Sequence, residues 1–294
     1  MRTYPGKLLV FGEYVILMGA PALSAPITLF SGHWKQDADL PYAGDLLRFA
    51  ASDAAKAVAG FNAPALEQDV RDGWRFASNI PQGYGLGSSG ALVAGLYDRY
   101  APQPLSDPSA LMAIFAQMEG HFHGQSSGLD PLTSYLNTPL QTGPGGLANR
   151  VTWKRWNGGT PRTFLLDTKR RRQTAPLVAH FKALLQQTAY RHRVEQVWVP
   201  AHLAAMEAWV CGETAMFWPA LRTLSQIQFE LADFLIPEAM KPIWIEGLLN
   251  DRFILKLCGA GGGGFILGFE RPQVDTQRLH PEASIVYLTD AYRN

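Results

Sequence analysis

Three groups of residues in this chain have the types and spacing to act on phosphate. The run Pro81-Gln82-Gly83-Tyr84-Gly85-Leu86-Gly87-Ser88-Ser89-Gly90 places glycine at alternate positions, adds two adjacent hydroxyls and leads into apolar Ala91 to Tyr97. Glycines let a backbone approach a ligand closely, and a helix beginning at the serines aims free N–H groups at an anion. No Gly-Lys-Ser or Gly-Lys-Thr follows, so this is not a Walker loop. A tight turn with Ser88 or Ser89 as a helix cap is the plainer alternative. Glu119 and Asp130 supply two carboxylates within one short segment. One can hold Mg²⁺ while the other orients or deprotonates an attacking hydroxyl. His121 and His123 lie between them, but alternate positions set two side chains apart on a strand or a helix, which disfavours a shared metal. Lys7 opens an apolar strand, and Gly259-Ala260-Gly261-Gly262-Gly263-Gly264 forms a second glycine cluster between apolar runs.

Positioning these groups falls to elements that the hydrophobic pattern outlines. Leu8 to Phe11 and Tyr14 to Met18 read as strands around a turn, and Leu23 to Phe30 as a third. Gly44 to Ala59 has helical spacing. Trp74 to Ala77 reads as a strand delivering the chain to the glycine loop, and Ser109 to Phe122 as a helix with Leu111, Ile114, Phe115 and Met118 on one face. The Asn137 to Gly146 stretch punctuates the chain. A boundary falls near residue 160. Beyond it come a strand at Thr163 to Leu166, helices over Pro176 to Gln187, Val199 to Val210 and Phe217 to Phe234, and two strands, Phe253 to Cys258 and Phe265 to Phe269, which hold the second glycine cluster as a turn. Strands followed by helices, without βαβ alternation, give an α+β class. Trp153, Trp156, Phe217 and Trp218 are expected in packing rather than in a nucleotide stack.

The 294 residues allow one large or two ordinary domains, and 47% hydrophobic against 17% charged residues is a globular composition. A balance of 26 Lys+Arg against 25 Asp+Glu excludes a general basic field for nucleic acid, so any anion site is local. Two cysteines, Cys211 and Cys258, form neither a disulfide framework nor a zinc site. The N-terminal residues lack a signal-like apolar region and no apolar run approaches the roughly 20 residues of a membrane span, which leads us to expect a cytoplasmic protein.

Lys7-Leu8-Leu9-Val10-Phe11-Gly12-Glu13 with Gly19-Ala20-Pro21-Ala22-Leu23, the Pro81 to Ser89 loop, and Lys256-Leu257-Cys258-Gly259 through Gly264 resemble, in order, the three motifs of the GHMP kinases, the superfamily of galactokinase, homoserine kinase, mevalonate kinase and phosphomevalonate kinase. They span nearly the whole chain. Two further segments, His123-Gly124-Gln125-Ser126-Ser127-Gly128-Leu129-Asp130 and Leu165 through Thr174, resemble the mevalonate kinase branch. Taken bare, Lys169 to Arg172 is a solvated basic turn. Gly12-Glu13-Tyr14 departs from that branch's Gly-Glu-His toward phosphomevalonate kinase. Gly90, where alanine is commoner, leans the same way.

The resemblance implies a two-domain GHMP kinase fold: a mixed α/β nucleotide-binding domain over residues 1–160 and a ferredoxin-like α+β domain over 161–294. It implies transfer of phosphate from ATP, with Mg²⁺, to a small-molecule alcohol. Mevalonate is the favoured acceptor; phosphomevalonate, a sugar or homoserine are the alternatives. Lys7 and Asp130 are the implied catalytic pair, with Asp130 taking the hydroxyl proton and Lys7 keeping it ionised. Ser89, with Ser88 still open, joins Glu119 as metal ligand. Gly83, Gly85, Leu86, Gly87, Ser88 and Ser89 cradle phosphates, and Gly259, Ala260, Gly261 and Gly262 form a second wall. Lys7, Glu13, Tyr14, Asp130, Thr168 and Gly261 line the acceptor. Nucleic acid and membrane are not expected partners, and a homodimer is left open. A nucleotide-binding sensor of the same fold is the alternative from another class, but a pure binder has no need of a base beside the phosphate.

Overall fold

The computed structural model describes residues 2–102, 105, 107–143, 147–157 and 159–288, apart from the His123 side chain. Pro144 to Gly146 of the punctuating stretch and the chain end after 288 lie outside the described residues, so the expectations that fall there, like those on the His123 side chain, go unaddressed.

Two antiparallel sheets organise the chain. The first contains β1 (Tyr4–Phe11), β2 (Leu23–Gln36), β3 (Trp74–Ser78), β4 (Leu140–Thr142) and β5 (Ala148–Arg150). Its path runs β1-β2-β4-β5, and β3 pairs with the far half of the long β2, Gly32 opposite Ser78 and Gln36 opposite Trp74. The second contains β6 (Arg162–Asp167), β7 (Phe253–Lys256), β8 (Phe265–Glu270) and β9 (Ile285–Leu288), in the order β7-β8-β6-β9. Helices separate β6 from β7 and β8 from β9, while a tight turn joins β7 to β8, which is the βαββαβ plan of a ferredoxin-like unit.

Helices α1 (Ala43–Ala50), α2 (Asp53–Lys56) and α3 (Ala63–Arg71) follow β2. Then come α4 (Ser88–Tyr100), α5 (Pro108–His123) and α6 (Leu129–Leu136). The second half carries α7 (Thr174–Leu184), α8 (Thr188–Arg193), α9 (Val199–Cys211), α10 (Thr214–Leu231), α11 (Lys241–Leu249) and α12 (Thr276–Leu279). Helix α4 packs on β1 and on α6, burying Ala91, Val93, Ala94, Leu96 and Tyr97. Asp107 starts α5 by accepting from the Ser109 and Ala110 N–H groups, with Pro108 in the first turn, where its missing N–H costs nothing. No helix among the described residues is long and apolar enough to cross a membrane.

Two expectations fail locally. Tyr14 to Met18 is not a strand: Gly12, Tyr14 and Gly19 all have positive φ, and the chain coils into a short 3₁₀ turn over Val15–Met18. The apolar run there comes from burial of a turn, which periodicity cannot tell from burial of a strand. The helix read over Gly44 to Ala59 is cut in two, because Ser52 leaves the helix and its side chain caps α2 through the Ala55 N–H.

The sheets meet through aromatic packing. Phe11 of β1 stacks with Phe269 of β8 at 6.4 Å, and Trp209 lies 5.2 Å from Phe269 and 5.1 Å from Trp156. Phe217 joins the same cluster, as the sequence led us to expect of Trp156 and Phe217.

Candidate active site

The glycine loop closes over the end of β1. Gly83, Gly85 and Gly87 have φ of 77°, 83° and 70°, a region that L side chains rarely enter, so the alternation of glycines is a conformational requirement. Gly87 is the cap of α4 and no side chain takes the helix's first amides. The Lys7 N–H donates to the Leu86 carbonyl at 2.8 Å, fixing the loop to β1.

Beneath the loop lies a charged cluster. Lys7 Nζ is 2.7 Å from Asp130 Oδ1; the lysine side chain is 8% exposed and the aspartate side chain 31%, so the carboxylate keeps an open face. Asp130 sits in the first turn of α6. Ser89 Oγ donates to Glu119 Oε1 at 2.7 Å, and Ser126 Oγ donates to Oε2 at 2.5 Å. Burial, and then the Asp130 charge, push the Glu119 carboxyl up to about 7, against the opposing pull of the Ser126 and Ser89 hydroxyls and Lys7. Glu119 forms no ion pair among the described residues. Two glycines admit this crowding. A Cβ on Gly87 would stand 3.2 Å from Lys7 Cβ, and one on Gly90 would stand 2.8 Å from the Pro131 nitrogen and 2.9 Å from the Asp130 carbonyl carbon. Gly90 therefore sets the spacing of α4 and α6. A cavity of about 910 Å³ adjoins this cluster, running from Ser126 and Ser127 along Gly120 and Gln117 to Asp53 and Ala57.

The second glycine turn folds against the first loop. Gly259, Gly261, Gly262 and Gly264 have φ between 65° and 70°, and a Cβ on Gly264 would stand 2.9 Å from Tyr84 Cα. The Gly262 N–H donates to Leu235 O and the Gly264 N–H to Arg170 O, both at 2.6 Å. Thr168 Oγ donates to Gly264 O at 2.7 Å, so this hydroxyl is already engaged in holding the turn. The Tyr14 hydroxyl donates to Ala260 O at 2.7 Å, and burial raises its pKa above the ordinary phenol value. Glu13 is buried and paired with Lys256 at 2.5 Å. Burial raises the Glu13 carboxyl while Lys256 opposes the shift. Cys258 is also buried, its thiol pushed up to about 11 mainly by burial.

Arg172 connects the two turns. Its Nη1 is 2.1 Å from where a Gly85 Cβ would be and 2.4 Å from where a Gly259 Cβ would be. One guanidinium thus occupies space that two glycines, from two distant motifs, leave vacant. Arg172 is half-buried and forms no salt bridge among the described residues, while Lys169, Arg170 and Arg171 are exposed.

The structure brings Lys7, Gly87, Ser89, Glu119 and Asp130 into one cluster, and Glu13 and Tyr14 against Gly259 and Ala260 of the second glycine turn, whose far end, Gly264, is held by Thr168. Arg172 lies between Gly85 of the first loop and Gly259 of the second. His121 packs edge-on against Phe49 at 5.4 Å. Sequence reasoning passed over Lys256, Ser126 and the inward turn of Arg172. Lys256 was detectable: a lysine inside Phe-Ile-Leu-Lys-Leu-Cys must be buried, and a buried ammonium requires a carboxylate. Nothing in four consecutive basic residues marks which one turns inward.

Residues 49–138 match the family model described as the GHMP kinases N terminal domain. A mevalonate kinase from Archaeoglobus fulgidus is 26% identical over 293 residues, with 93% of this chain and 94% of the relative covered. Among solved structures, the L. major mevalonate kinase in complex with R-mevalonate superposes with a TM-score of 0.65 at 18% identity, over 94% of this chain and 88% of the other. The Streptococcus pneumoniae phosphomevalonate kinase in complex with phosphomevalonate and AMPPNP gives 0.68 at 16% identity, over 97% and 98%. Residues 49–138 thus carry the sequence pattern of the GHMP kinases N terminal domain, the chain is similar to a mevalonate kinase over nearly its full length, and it shares the two-sheet fold of these kinases.

Proposed function

We propose that this chain transfers the terminal phosphoryl group of ATP to the hydroxyl of mevalonate, giving 5-phosphomevalonate. The observation that carries the reading is the Lys7–Asp130 pair at 2.7 Å beneath the glycine loop, beside the Ser89–Glu119 contact. A carboxylate with an open face, held next to a buried ammonium, is the arrangement a general base for a hydroxyl requires.

The residues fit a hard divalent cation. Glu119 is a buried carboxylate that receives two hydroxyl donors and forms no ion pair among the described residues, and Ser89 presents an oxygen 2.7 Å from it. In this reading Ser89 and Glu119 hold Mg²⁺, which when bound supplies neutralisation of phosphate oxygens. The amides from Gly83 to Ser88 bind the phosphates. Lys7 offers positive charge where negative charge develops, and Asp130 Oδ2 takes the acceptor's proton. The Gly259 to Gly262 turn closes the opposite wall. The chain's residues position and neutralise; no covalent intermediate with the protein is needed. We take residues 1–160 and 161–294 as the two units that contribute these walls.

Arg172 supports the choice of acceptor. One half-buried guanidinium without a carboxylate partner among the described residues suits an acceptor with a single anionic group such as a carboxylate. A phosphorylated acceptor asks for more positive charge, and Lys169, Arg170 and Arg171 are exposed. The packing of Gly90 against Asp130 and Pro131 also accounts for that glycine without reference to the acceptor. The test is ADP release by purified protein with mevalonate, phosphomevalonate, galactose and homoserine. Mevalonate is expected to give the highest kcat/KM. A preference for another acceptor would displace mevalonate, and inactivity with all four would remove the kinase reading.

A further inference from the structure

The Lys256–Glu13 pair has no direct part in the chemistry outlined above, yet it is among the most buried charged contacts of the molecule, with side chains 0% and 1% exposed. Its two members are 243 positions apart in sequence and join the turn after β1 to the end of β7. Both partners reach the same short stretch of backbone. Lys256 Nζ donates to Glu13 Oε1 at 2.5 Å and to the Leu257 carbonyl at 2.6 Å. Glu13 also accepts from the Gly259 N–H. The next residue, Tyr14, donates its hydroxyl to Ala260 O, and Gln228 Oε1 accepts from the Leu257 N–H at 2.9 Å.

Two apolar side chains could fill this space without loss of stability, because an ion pair taken fully out of water seldom stabilises more than well-packed hydrocarbon. What hydrocarbon cannot do is hold a carbonyl and an amide of a glycine turn in fixed directions. That turn needs such holding: four of its glycines occupy the left-handed region, and it has almost no side chains of its own to anchor it. Its first glycine is also the one that leaves room for the Arg172 guanidinium, whose Nη1 reaches toward Cys258 O at 3.5 Å.

We propose that Lys256 and Glu13 form a positioning pair: together they fix the backbone from Leu257 to Ala260, and through it the second glycine wall and the place of Arg172 between the two glycine turns. Glu13 acts through the Gly259 amide rather than by touching the acceptor. This rests on the kinase reading for its kinetic consequence but not for its structural one.

The test uses Glu13→Gln, Lys256→Met and the double variant Glu13→Leu/Lys256→Met, with steady-state kinetics, Tm and amide hydrogen exchange over residues 257–264. Each single variant is expected to lower kcat by roughly 10- to 100-fold, the scale of a displacement of about 1 Å at a reacting centre, and to speed exchange in the turn. The double variant is expected to regain Tm but neither kcat nor slow exchange. Recovery of kcat together with Tm would make the pair a packing feature and overturn the proposal. So would a Glu13→Gln protein with unchanged kcat and exchange, which decides the matter even if the double variant does not fold. If the unaltered chain phosphorylates no alcohol, the kinase reading fails by itself, and the exchange measurements still judge the positioning role.

Discussion

Replacing Gly90 by alanine tests whether the α4–α6 spacing sets the catalytic geometry. The new methyl would lie 2.8 Å from the Pro131 nitrogen and 2.9 Å from the Asp130 carbonyl carbon, where ordinary contact begins at 3.4 Å. Both neighbours are backbone, so no rotamer change relieves the clash. The first turn of α6 must move by about 0.6 Å, and Asp130 moves with it. A shift of that size along the line of the ion pair would open the Lys7–Asp130 contact to about 3.3 Å, beyond the usual range of a charge-assisted hydrogen bond. Overpacking costs about 1–3 kcal/mol, and the better helix propensity of alanine returns about 1. The net stability loss is therefore about 0–2 kcal/mol, at about 2–4 °C per kcal/mol for a chain of this size. The kinetic loss should be larger in proportion, with kcat down by about tenfold or more. Gly95→Ala, in the same helix, is the control: its methyl would meet the Phe76 ring of β3 at 2.6 Å rather than the backbone of α6, so Tm should fall with kcat unchanged. Calorimetry and acceptor-dependent ADP release read both quantities. A Gly90→Ala enzyme with normal kcat would refute the claim that this glycine holds Asp130 in place.

Asp130→Asn should keep ATP binding, measured by titration calorimetry, while kcat drops by on the order of 10² or more; near-normal turnover would exclude Asp130 as the base. Arg172→Met should raise the acceptor KM by roughly 10-fold or more, the scale of a lost charged hydrogen bond, whereas Arg170→Ala and Arg171→Ala should change it little. Equal effects from all three would mean that a diffuse field, not one guanidinium, recognises the acceptor. In the ligand-free, metal-free protein, the folded-state value of Glu119 lies near 7 against 4.5 for the free side chain. The folded form then holds a proton that the unfolded form has released, so stability from this group is full below about pH 4.5 and is lost as pH rises through 7. Glu119→Gln should flatten the dependence of Tm on pH in that window, and an unchanged slope would assign it to another group.

Sequence alone determined where the backbone must be unusual and which elements frame those places. The alternate glycines of residues 83 to 87 and the cluster at 259 to 264 announce positive φ because few other residues tolerate it. The strands around them announce themselves by unbroken apolar runs. Lys7, Glu119 and Asp130 were legible as candidate groups because their types and spacing suit phosphate chemistry, and resemblance to a family ordered them. Periodicity could not separate the 3₁₀ turn at Val15–Met18 from a strand, since both bury the same apolar side chains. Nor could it foresee that Ser52 would bond its own backbone and split a helix. Tertiary structure alone decided which charges face each other. Glu13 meets Lys256 across 243 positions, Glu119 is pushed toward neutrality by burial and by Asp130, and one arginine of a basic turn lies between the two glycine turns because Gly85 and Gly259 both vacate the space it fills. The physical reason is range: backbone preference is written locally in the chain, whereas desolvation and charge pairing depend on neighbours that only folding supplies.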